Sequence, residues 1–156
     1  MRLPTDLCLL CKTANASKTN SHILPKFLSS KLFGLKSSKR GFEVSGTDII
    51  GKSKLIQDSP KEDHILCPDC ESFFGVLESI SCTTFQNWKT KVANGDFHLH
   101  KFANVFSILN YTSENKPAIR LFVYSIFWRA SISTLSLFQN INIESSILED
   151  LRFSLL

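Results

Sequence analysis

Two pairs of cysteines have the spacing of a metal site. The pairs are "CLLC", with Cys8 and Cys11, and "CPDC", with Cys67 and Cys70. Two residues between thiolates allow a tight turn to point both sulfurs at a single ion, and two such turns complete a tetrahedral set of four thiolates. One C-x-x-C pair alone can be a redox motif of the thioredoxin type, but two pairs in 156 residues favour a metal. We therefore predict a structural Zn²⁺ bound by Cys8, Cys11, Cys67 and Cys70.

A closed site of four thiolates leaves no open position for water, so any catalysis must use other residues. The site would join residues 8–11 to residues 67–70, and the segment between them must leave and return to one place. Zinc-bound thiolates persist in reducing compartments, where disulfides do not. The fifth cysteine, Cys82, has no partner, and we predict that it is a buried apolar side chain.

Two similar stretches carry a histidine near these cysteines. His22 lies in "NSHILPKF" and His64 lies in "DHILCPDCE". Pro25 disfavours a helix through residues 22–24 and favours an extended segment, in which His22 and Ile23 point to opposite faces. Either histidine can do chemistry only if the fold brings it close to further polar groups.

The region after the second cysteine pair reads as helix, turn and strand. We predict a helix with a break near residues 81–84, a turn at Asn94 and Gly95, and a strand in "DFHLHKF". His98 and His100 would share one face of that strand, a spacing at which two histidines can ligate a metal. No carboxylate or cysteine cluster accompanies them, so we interpret them as a half-exposed strand face.

Apolar spacing predicts helices at residues 26–34, 117–138 and 144–156. In the helix at 117–138 the apolar face comprises Ile119, Phe122, Val123, Ile126, Phe127 and Ala130, and the opposite side comprises Ser125, Arg129 and Ser136. Arg129 is expected to pair with a buried carboxylate or to reach a phosphate. The last helix ends on apolar residues, so either that end packs inward or the chain is part of a longer one.

Composition and charge bound the class of protein. A chain of 156 residues with 43% hydrophobic and 21% charged residues is typical of one compact globular domain. The net charge is +4, and residues 1–54 hold 10 Lys and Arg against 3 Asp and Glu. This asymmetry favours a polyanionic partner, although a solvated basic loop is the alternative. The residues concerned are Lys36, Lys39, Arg40, Lys52 and Lys54.

The sequence predicts no membrane association. Its first twenty residues lack the continuous apolar stretch of a secretory signal, so we expect a cytoplasmic protein. The most apolar stretch, residues 118–138, has Arg129 near its middle, which would be costly in hydrocarbon. We expect that stretch to be a buried helix of a soluble protein.

The order of these motifs resembles the zinc-stabilised HNH endonucleases. A C-x-x-C pair, a histidine in an "H-I-x-P" strand and an "L-C-x-x-C" that opens a helix are similar to that family over about residues 8–80. The resemblance implies an α+β fold, with a treble-clef/ββα-metal core, an insertion at about residues 35–60 and additional C-terminal helices. We expect the core with its basic insertion at residues 1–96 and a mainly helical part, packed on it, at residues 97–156.

The resemblance also implies a function, which is metal-dependent hydrolysis of nucleic-acid phosphodiester bonds. His22 matches the general base of the family, and Glu71, with Mg²⁺ or Mn²⁺, would complete the catalytic site. Ser21 stands where the family commonly has an acidic or histidine ligand, and Glu78 could support Glu71. The family's central asparagine has no counterpart, and its place would fall to Glu62, Asp63 or His64.

A nuclease of this type implies nucleic acid as partner, with DNA favoured and RNA left open, and a role in bacterial or phage defence or in a mobile element. The alternative is a non-catalytic zinc module that binds nucleic acid, or a protein partner, through the basic loop and the aromatic-rich C-terminal helices. Self-association is also open. A second cation beside His22 is what would separate the nuclease from the binding module.

Overall fold

Helices and short antiparallel strand pairs alternate along the chain, as the predicted α+β class requires. A computed structural model describes residues 2–29, 41–43, 54–56, 58–102, 106–111 and 115–156, and the side chains of residues 2–28, 58–100, 110 and 115–156. The elements in these ranges are β1 (Ser21–His22), α1 (Lys26–Ser29), β2 (Gly41–Glu43), β3 (Lys54–Ile56), β4 (Lys61–Glu62), α2 (Pro68–Phe85), α3 (Trp88–Ala93), β5 (Phe97–Phe102), β6 (Phe106–Tyr111), α4 (Lys116–Ile132), a 3₁₀ turn (Ser136–Phe138) and α5 (Ser145–Ser154).

Three antiparallel pairs form between the strands. β1 pairs with β4, so that Ser21 lies opposite Glu62 and His22 opposite Lys61. The extended conformation predicted at His22 is therefore confirmed. β2 pairs with β3 inside the predicted insertion, and β5 pairs with β6. Of the helix predicted at residues 26–34, α1 covers the first part, and residues 30–34 lie outside the described ranges.

The longest helix, α2, starts at the second cysteine pair and runs without interruption through residues 81–84. The break predicted there is wrong. The helix ends at Phe85, after which Gln86 is extended and Asn87 has the left-handed φ of 55°. The polar side chains Ser81 and Thr84 remain in the helix because they lie on its buried side. Asparagine is the residue that tolerates a left-handed conformation best after glycine, which explains the position of the break.

α4 packs against α2, and the face predicted to be buried is right in part, since Phe122 and Ala130 are buried. Val123 and Phe127 are 39% and 53% exposed, whereas Ser125 and Arg129 are buried. The helix also ends at Ile132 rather than at residue 138. The prediction was wrong at Val123 and Phe127 because it counted only apolar side chains. Arg129 has hydrogen-bonding partners in the interior, so its side of the helix is buried as well.

Aromatic contacts fill the space between these helices. The ring of Trp128 meets that of Phe74 edge-on, with centroids 6.1 Å apart, and Phe27 packs on Phe122 at 5.6 Å. The same apolar cluster extends from the first cysteine turn to Leu155, which is 2% exposed. The final helix, α5, is confirmed, and Leu155 at its end packs inward.

Two smaller predictions in the second half are confirmed. Asn94 and Gly95 form a turn in which Gly95 has φ of +84°, a conformation that favours glycine. His98 and His100 are both exposed on one face of β5, while Phe97 is buried on the other. In the described part of the chain, no helix is long and apolar enough to cross a bilayer. The boundary between residues 96 and 97 stays a prediction.

Candidate functional site

The first cysteine turn is held by its own backbone. The amide of Cys8 donates to the oxygen of Ala14 at 2.8 Å, and the amide of Lys12 donates to the oxygen of Cys8 at 2.9 Å. Lys12 has a left-handed φ of 58° and reverses the chain immediately after Cys11. A bridge between Leu7 and Asn15 closes the turn at its base. The effect is to place both sulfurs of the pair on one side.

The second cysteine turn is the start of a helix. Cys67 is the N-cap residue of α2, Pro68 occupies the first turn, and the amide of Glu71 donates to the oxygen of Cys67 at 3.0 Å. Proline suits this position because its fixed φ is helical and the amide it lacks would have no partner there. Cys70 follows in the same turn, where the positive end of the helix dipole favours a thiolate.

The backbone also joins the two turns to each other. The amide of Leu9 donates to the oxygen of Ile65 at 3.0 Å, and that of Lys18 donates to the oxygen of Leu66 at 3.2 Å. The amide of His64 donates in return to the oxygen of Lys18 at 2.8 Å. These long-range bonds bring "CLLC" and "CPDC" together, as their spacing predicted.

The four sulfurs converge. Their Sγ atoms all lie within 4.8 Å of one another, and Cys11 Sγ and Cys67 Sγ are 3.9 Å apart. A tetrahedral zinc with Zn–S bonds of about 2.3 Å places its sulfurs about 3.8 Å apart, whereas a disulfide requires about 2.05 Å. The five cysteines are all free. The cluster of Cys8, Cys11, Cys67 and Cys70 can thus hold a metal ion such as zinc.

The surroundings of the sulfurs favour ionisation only in part. Burial raises the pKa of Cys8 and that of Cys70 above the ordinary value for a thiol. Burial also acts on Cys11, but hydrogen bonds from the Thr13 side chain and the Ala14 amide outweigh it and lower the pKa of Cys11 to about 6. Buried thiols that resist ionisation need a cation to become ligands, so metal binding here would release protons.

Cys82 lies apart from this cluster and is half-buried rather than buried as predicted. Its sulfur accepts a hydrogen bond from Gln86 Nε2 at 3.2 Å. The difference arises because Cys82 is one residue beyond Ser81 on α2, at the flank of the helix face that packs inward.

His22 is held at both its ring and its backbone. Nδ1 is hydrogen-bonded to Ser59 Oγ, whose side chain is buried, and the backbone oxygen of His22 accepts a hydrogen bond from Arg129 Nη1 at 2.7 Å. The next amide, of Ile23, donates to the oxygen of Pro60 at 2.9 Å. The ring itself is half-buried. Its orientation is therefore fixed while part of it reaches solvent.

Charges around the ring set its protonation. Burial, and then the positive charge of Lys61, lower the pKa of His22 below its ordinary value, against the opposing charges of Asp58, Glu78 and Glu71. The imidazole is thus neutral at pH 7. In the tautomer that donates Nδ1–H to Ser59, the lone pair is on Nε2 and is free to accept a proton.

Arg129 connects His22 to α2. The guanidinium is 1% exposed, and its Nη1 donates to Glu78 Oε1 at 2.7 Å as well as to His22. It also lies over the ring of Phe74, with 5.0 Å to the centroid, and its Nε donates to the oxygen of Ser125 at 3.2 Å. The predicted pairing of Arg129 with a carboxylate is confirmed. The partner is Glu78, which was also expected to support Glu71.

The sequence did not link His22 to either residue that fixes it, although a partner was expected for Arg129. Arg129 carried a signal, because it is a single charge inside an apolar helix and such a charge requires a partner. Ser59 carried none, since a serine beside a proline in a polar segment has no distinguishing pattern. Only the pairing of β1 with β4 brings it to the ring.

The residues predicted to replace the family's asparagine all make structural contacts. Glu62 accepts hydrogen bonds from the hydroxyls of Ser133 and Thr134, both at 2.7 Å, just after α4. Asp63 Oδ1 accepts from the amide of Asn20 at 2.7 Å. His64 has a left-handed φ of 58°, and its Nδ1 is 3.1 Å from the oxygen of Ala16. These contacts stabilise the turn before the second cysteine pair.

Glu71 differs from these three. It lies in the first turn of α2, and its Oε2 is buried without a hydrogen-bond partner among the described residues. The hydroxyl of Ser21 is in the same state. Within the described ranges, the four cysteines are the only group of three or more Cys, His, Asp or Glu side chains whose ligand atoms converge. Neither His22 nor Glu71 belongs to such a group in those ranges.

Comparison with known protein families, with curated proteins and with solved structures gives no match.

Proposed function

We propose that the protein is a zinc-stabilised nuclease of the HNH type, with Cys8, Cys11, Cys67 and Cys70 as ligands of a structural Zn²⁺. Support for zinc comes from the all-sulfur ligand set, since Zn²⁺ takes four thiolates in tetrahedral geometry. Support for the treble-clef core comes from the order of elements, which is cysteine turn, β1, β4, cysteine turn and α2. His22 lies on β1, and Arg129 connects its backbone oxygen to Glu78 of α2, the helix that also bears Glu71.

The observation that carries the nuclease proposal is the way His22 is held. A general base must be neutral, oriented and accessible. The lowered pKa of His22 gives the first property, the contacts with Ser59 and Arg129 give the second, and its half-exposed ring gives the third. In the proposed reaction a water molecule donates a proton to Nε2 of His22 as its oxygen attacks phosphorus. The bond from phosphorus to the 3′ or 5′ oxygen breaks, and that oxygen takes a proton from solvent.

Glu71 would hold the divalent cation. Mg²⁺ is commonly bound by one or two carboxylates together with substrate phosphate oxygens and water, rather than by a full set of protein ligands. The oxygen of Glu71 that lacks a hydrogen bond is suited to such an ion. When bound, Mg²⁺ or Mn²⁺ supplies positive charge that stabilises the transition state of phosphoryl transfer. Arg129 contributes indirectly, since it keeps the backbone of His22 in place.

The proposed substrate is nucleic acid, with DNA favoured, and the proposed setting is defence or a mobile element. The basic residues expected to contact phosphate have side chains outside the described ranges. They are Lys36, Lys39, Arg40, Lys52 and Lys54. Their role stays a prediction from charge alone.

A second candidate function is a non-catalytic zinc module that binds nucleic acid or a protein partner. The observation that favours it is the absence of a second converging group of metal ligands among the described residues. In that function His22 has only a structural role. Such a module would need zinc for its fold and no second metal for binding.

Plasmid cleavage separates the two functions. Zinc-loaded protein should nick or cut plasmid when Mg²⁺ or Mn²⁺ is added, and His22→Ala should lose activity by about 10²–10⁴-fold, the usual contribution of a general base. His64→Ala is the matched control, because the ring of that histidine bonds to the backbone oxygen of Ala16 and its loss should act through stability. Cleavage that survives His22→Ala within about tenfold, or no cleavage with either ion, would remove the nuclease proposal.

Glutamine substitutions of the five basic residues test the binding function. If those residues contact phosphates, the variant should bind nucleic acid more weakly at every sequence and with a flatter salt dependence. If affinity and salt dependence are unchanged, these basic residues do not contact phosphates, and the interpretation as a solvated loop is the correct one.

A further inference from the structure

The C-terminal helix α5 contacts the first cysteine turn directly. Arg152 is 6% exposed, and its Nη1 donates to the backbone oxygen of Leu10 at 2.7 Å. Leu10 lies between Cys8 and Cys11 and is itself 1% exposed. A residue 142 positions away in sequence thus holds the peptide that connects two metal ligands.

A second contact holds the other side of Cys11. Glu149 accepts two hydrogen bonds from Arg152, at 2.9 Å from Nε and 2.8 Å from Nη2, in the paired geometry that fixes a guanidinium best. The same carboxylate binds Lys12 Nζ at 3.1 Å. Lys12 is the left-handed residue whose amide bonds to the oxygen of Cys8. Helix α5 therefore holds the residues on both sides of Cys11.

Charge supports the same arrangement. Four thiolates around Zn²⁺ leave a net charge of about −2, which is costly in a partly buried site unless a cation lies close by. Arg152 and Lys12 are the cations beside this turn, and Glu149, which binds both, offsets one of the two positive charges. The hydrogen bonds of Arg152 to Glu149, and less strongly the charge of the Cys11 thiolate, raise its pKa above the ordinary value. It stays protonated at any pH at which the protein is folded.

We propose that Arg152 is a positioning residue for the metal centre, which keeps the Cys8–Cys11 turn in ligand geometry and offsets the charge of the thiolates. The proposal rests on the zinc assignment in the proposed function, but not on nuclease activity. It makes α5 a part of the metal site, although the helix supplies no ligand. Hydrogen-bonding partners of metal ligands typically contribute 10–100-fold to metal affinity.

Zinc release to a chromogenic chelator tests this, at a temperature well below unfolding. Arg152→Gln should release zinc at least about tenfold faster than wild type. Arg152→Lys keeps the charge but loses the paired geometry and should be intermediate, as should Glu149→Gln, which leaves Arg152 in place. In cobalt-substituted protein, the visible bands of tetrahedral sulfur ligation should broaden or shift in Arg152→Gln and recover in part in Arg152→Lys.

Two controls separate positioning from general stability. Arg120→Gln removes an exposed arginine from α4 and should release zinc at the wild-type rate. Phe122→Leu weakens the core, and release by Arg152→Gln no faster than by Phe122→Leu at equal stability would overturn the proposal. If Arg152→Gln does not fold, Glu149→Gln takes its place in the test. Zinc release from Glu149→Gln at the wild-type rate would then also overturn the proposal. Wild-type protein that binds no zinc would instead overturn the zinc assignment itself.

Discussion

The cysteine cluster and the His22 site are built in opposite ways. Each cysteine pair is shaped by a local turn, and a few backbone bonds bring the turns together. His22 depends on residues from three other places in the chain, which are Ser59 before β4, Arg129 in α4 and Glu78 in α2. The cysteine cluster can therefore be predicted from residue spacing, whereas the His22 site forms only when the tertiary structure is complete.

This difference has an energetic counterpart. Closed zinc sites supply folding energy directly, so loss of one ligand should be felt by the whole molecule. A general base contributes to a reaction, and its removal should leave the fold intact. The connection between the two sites is α2, which carries Cys70 and Glu71 in its first turn and Glu78 further along.

The largest effect should come from the cysteines. Cys67→Ser should abolish cooperative unfolding, because a structural zinc contributes about 10 kcal/mol or more to small zinc domains. Elemental analysis of wild type should give one zinc per chain, and circular dichroism should show the loss of folded protein in the variant. Cys82→Ser is the matched control and should change the unfolding free energy by no more than about 1 kcal/mol. Equal effects of the two substitutions would contradict the metal assignment.

Arg129 should rank next. Arg129→Met leaves Glu78 and the backbone oxygen of His22 without their partner, and breaking a buried pair in this way costs about 3–5 kcal/mol. Because the Glu78 side chain is 23% exposed, we expect a loss near the lower end, about 3 kcal/mol. Denaturant unfolding measures it. Arg120→Met, on the exposed side of the same helix, should stay within about 0.5 kcal/mol, and a similar loss there would refute the account of Arg129.

The sequence predicts the local features of this molecule better than the features that depend on tertiary contacts. Residue spacing was sufficient for the cysteine cluster, for the strand at His22 and for the final helix, because each is a local pattern. It failed for the buried face of α4, where Arg129 and Ser125 lie inside while Phe127 is exposed. Hydrophobic periodicity ranks side chains by polarity alone, and cannot register a partner that only tertiary structure brings near.

The break in α2 failed for a related reason. Polar residues at 81–84 looked like an interruption, but Ser81 and Thr84 lie on the packed side of the helix. The carbonyl oxygens of Thr83 and Thr84 accept hydrogen bonds from Lys91 Nζ at 2.6 Å and 2.8 Å. The lysine belongs to α3, so the contact that secures the end of α2 was not visible within α2 itself.

A smaller effect concerns the pKa of His22. Because that pKa is lowered by burial and by Lys61, the folded state binds fewer protons at His22 than the unfolded state does. The stability from this group is therefore present above about pH 6.5, the ordinary histidine value, and is lost as pH falls through the lower folded-state value. NMR titration of the His22 ring should give a midpoint below the ordinary value.

Lys61→Gln should raise the midpoint of His22. The substitution removes a positive charge next to the ring and frees Asp58, with which Lys61 pairs at 2.7 Å, and both changes favour the protonated imidazole. Lys89→Gln, at an exposed lysine over the ring of Trp88, is the control and should leave the midpoint unchanged. A His22 midpoint that does not move in Lys61→Gln would show that the ring is not placed as described.

The central claim is that a hard cation binds beside His22 while sulfur ligands hold zinc. Crystals of zinc-loaded protein soaked in Mn²⁺ test it most directly, since anomalous scattering distinguishes the two metals. We expect a manganese peak at Glu71 on the side facing His22, zinc retained among the four cysteines, and no manganese peak in Glu71→Gln. If wild-type crystals at saturating Mn²⁺ show zinc at the cysteines and no manganese at Glu71, the result would contradict the nuclease proposal. The zinc-stabilised binding module would then be the function that remains.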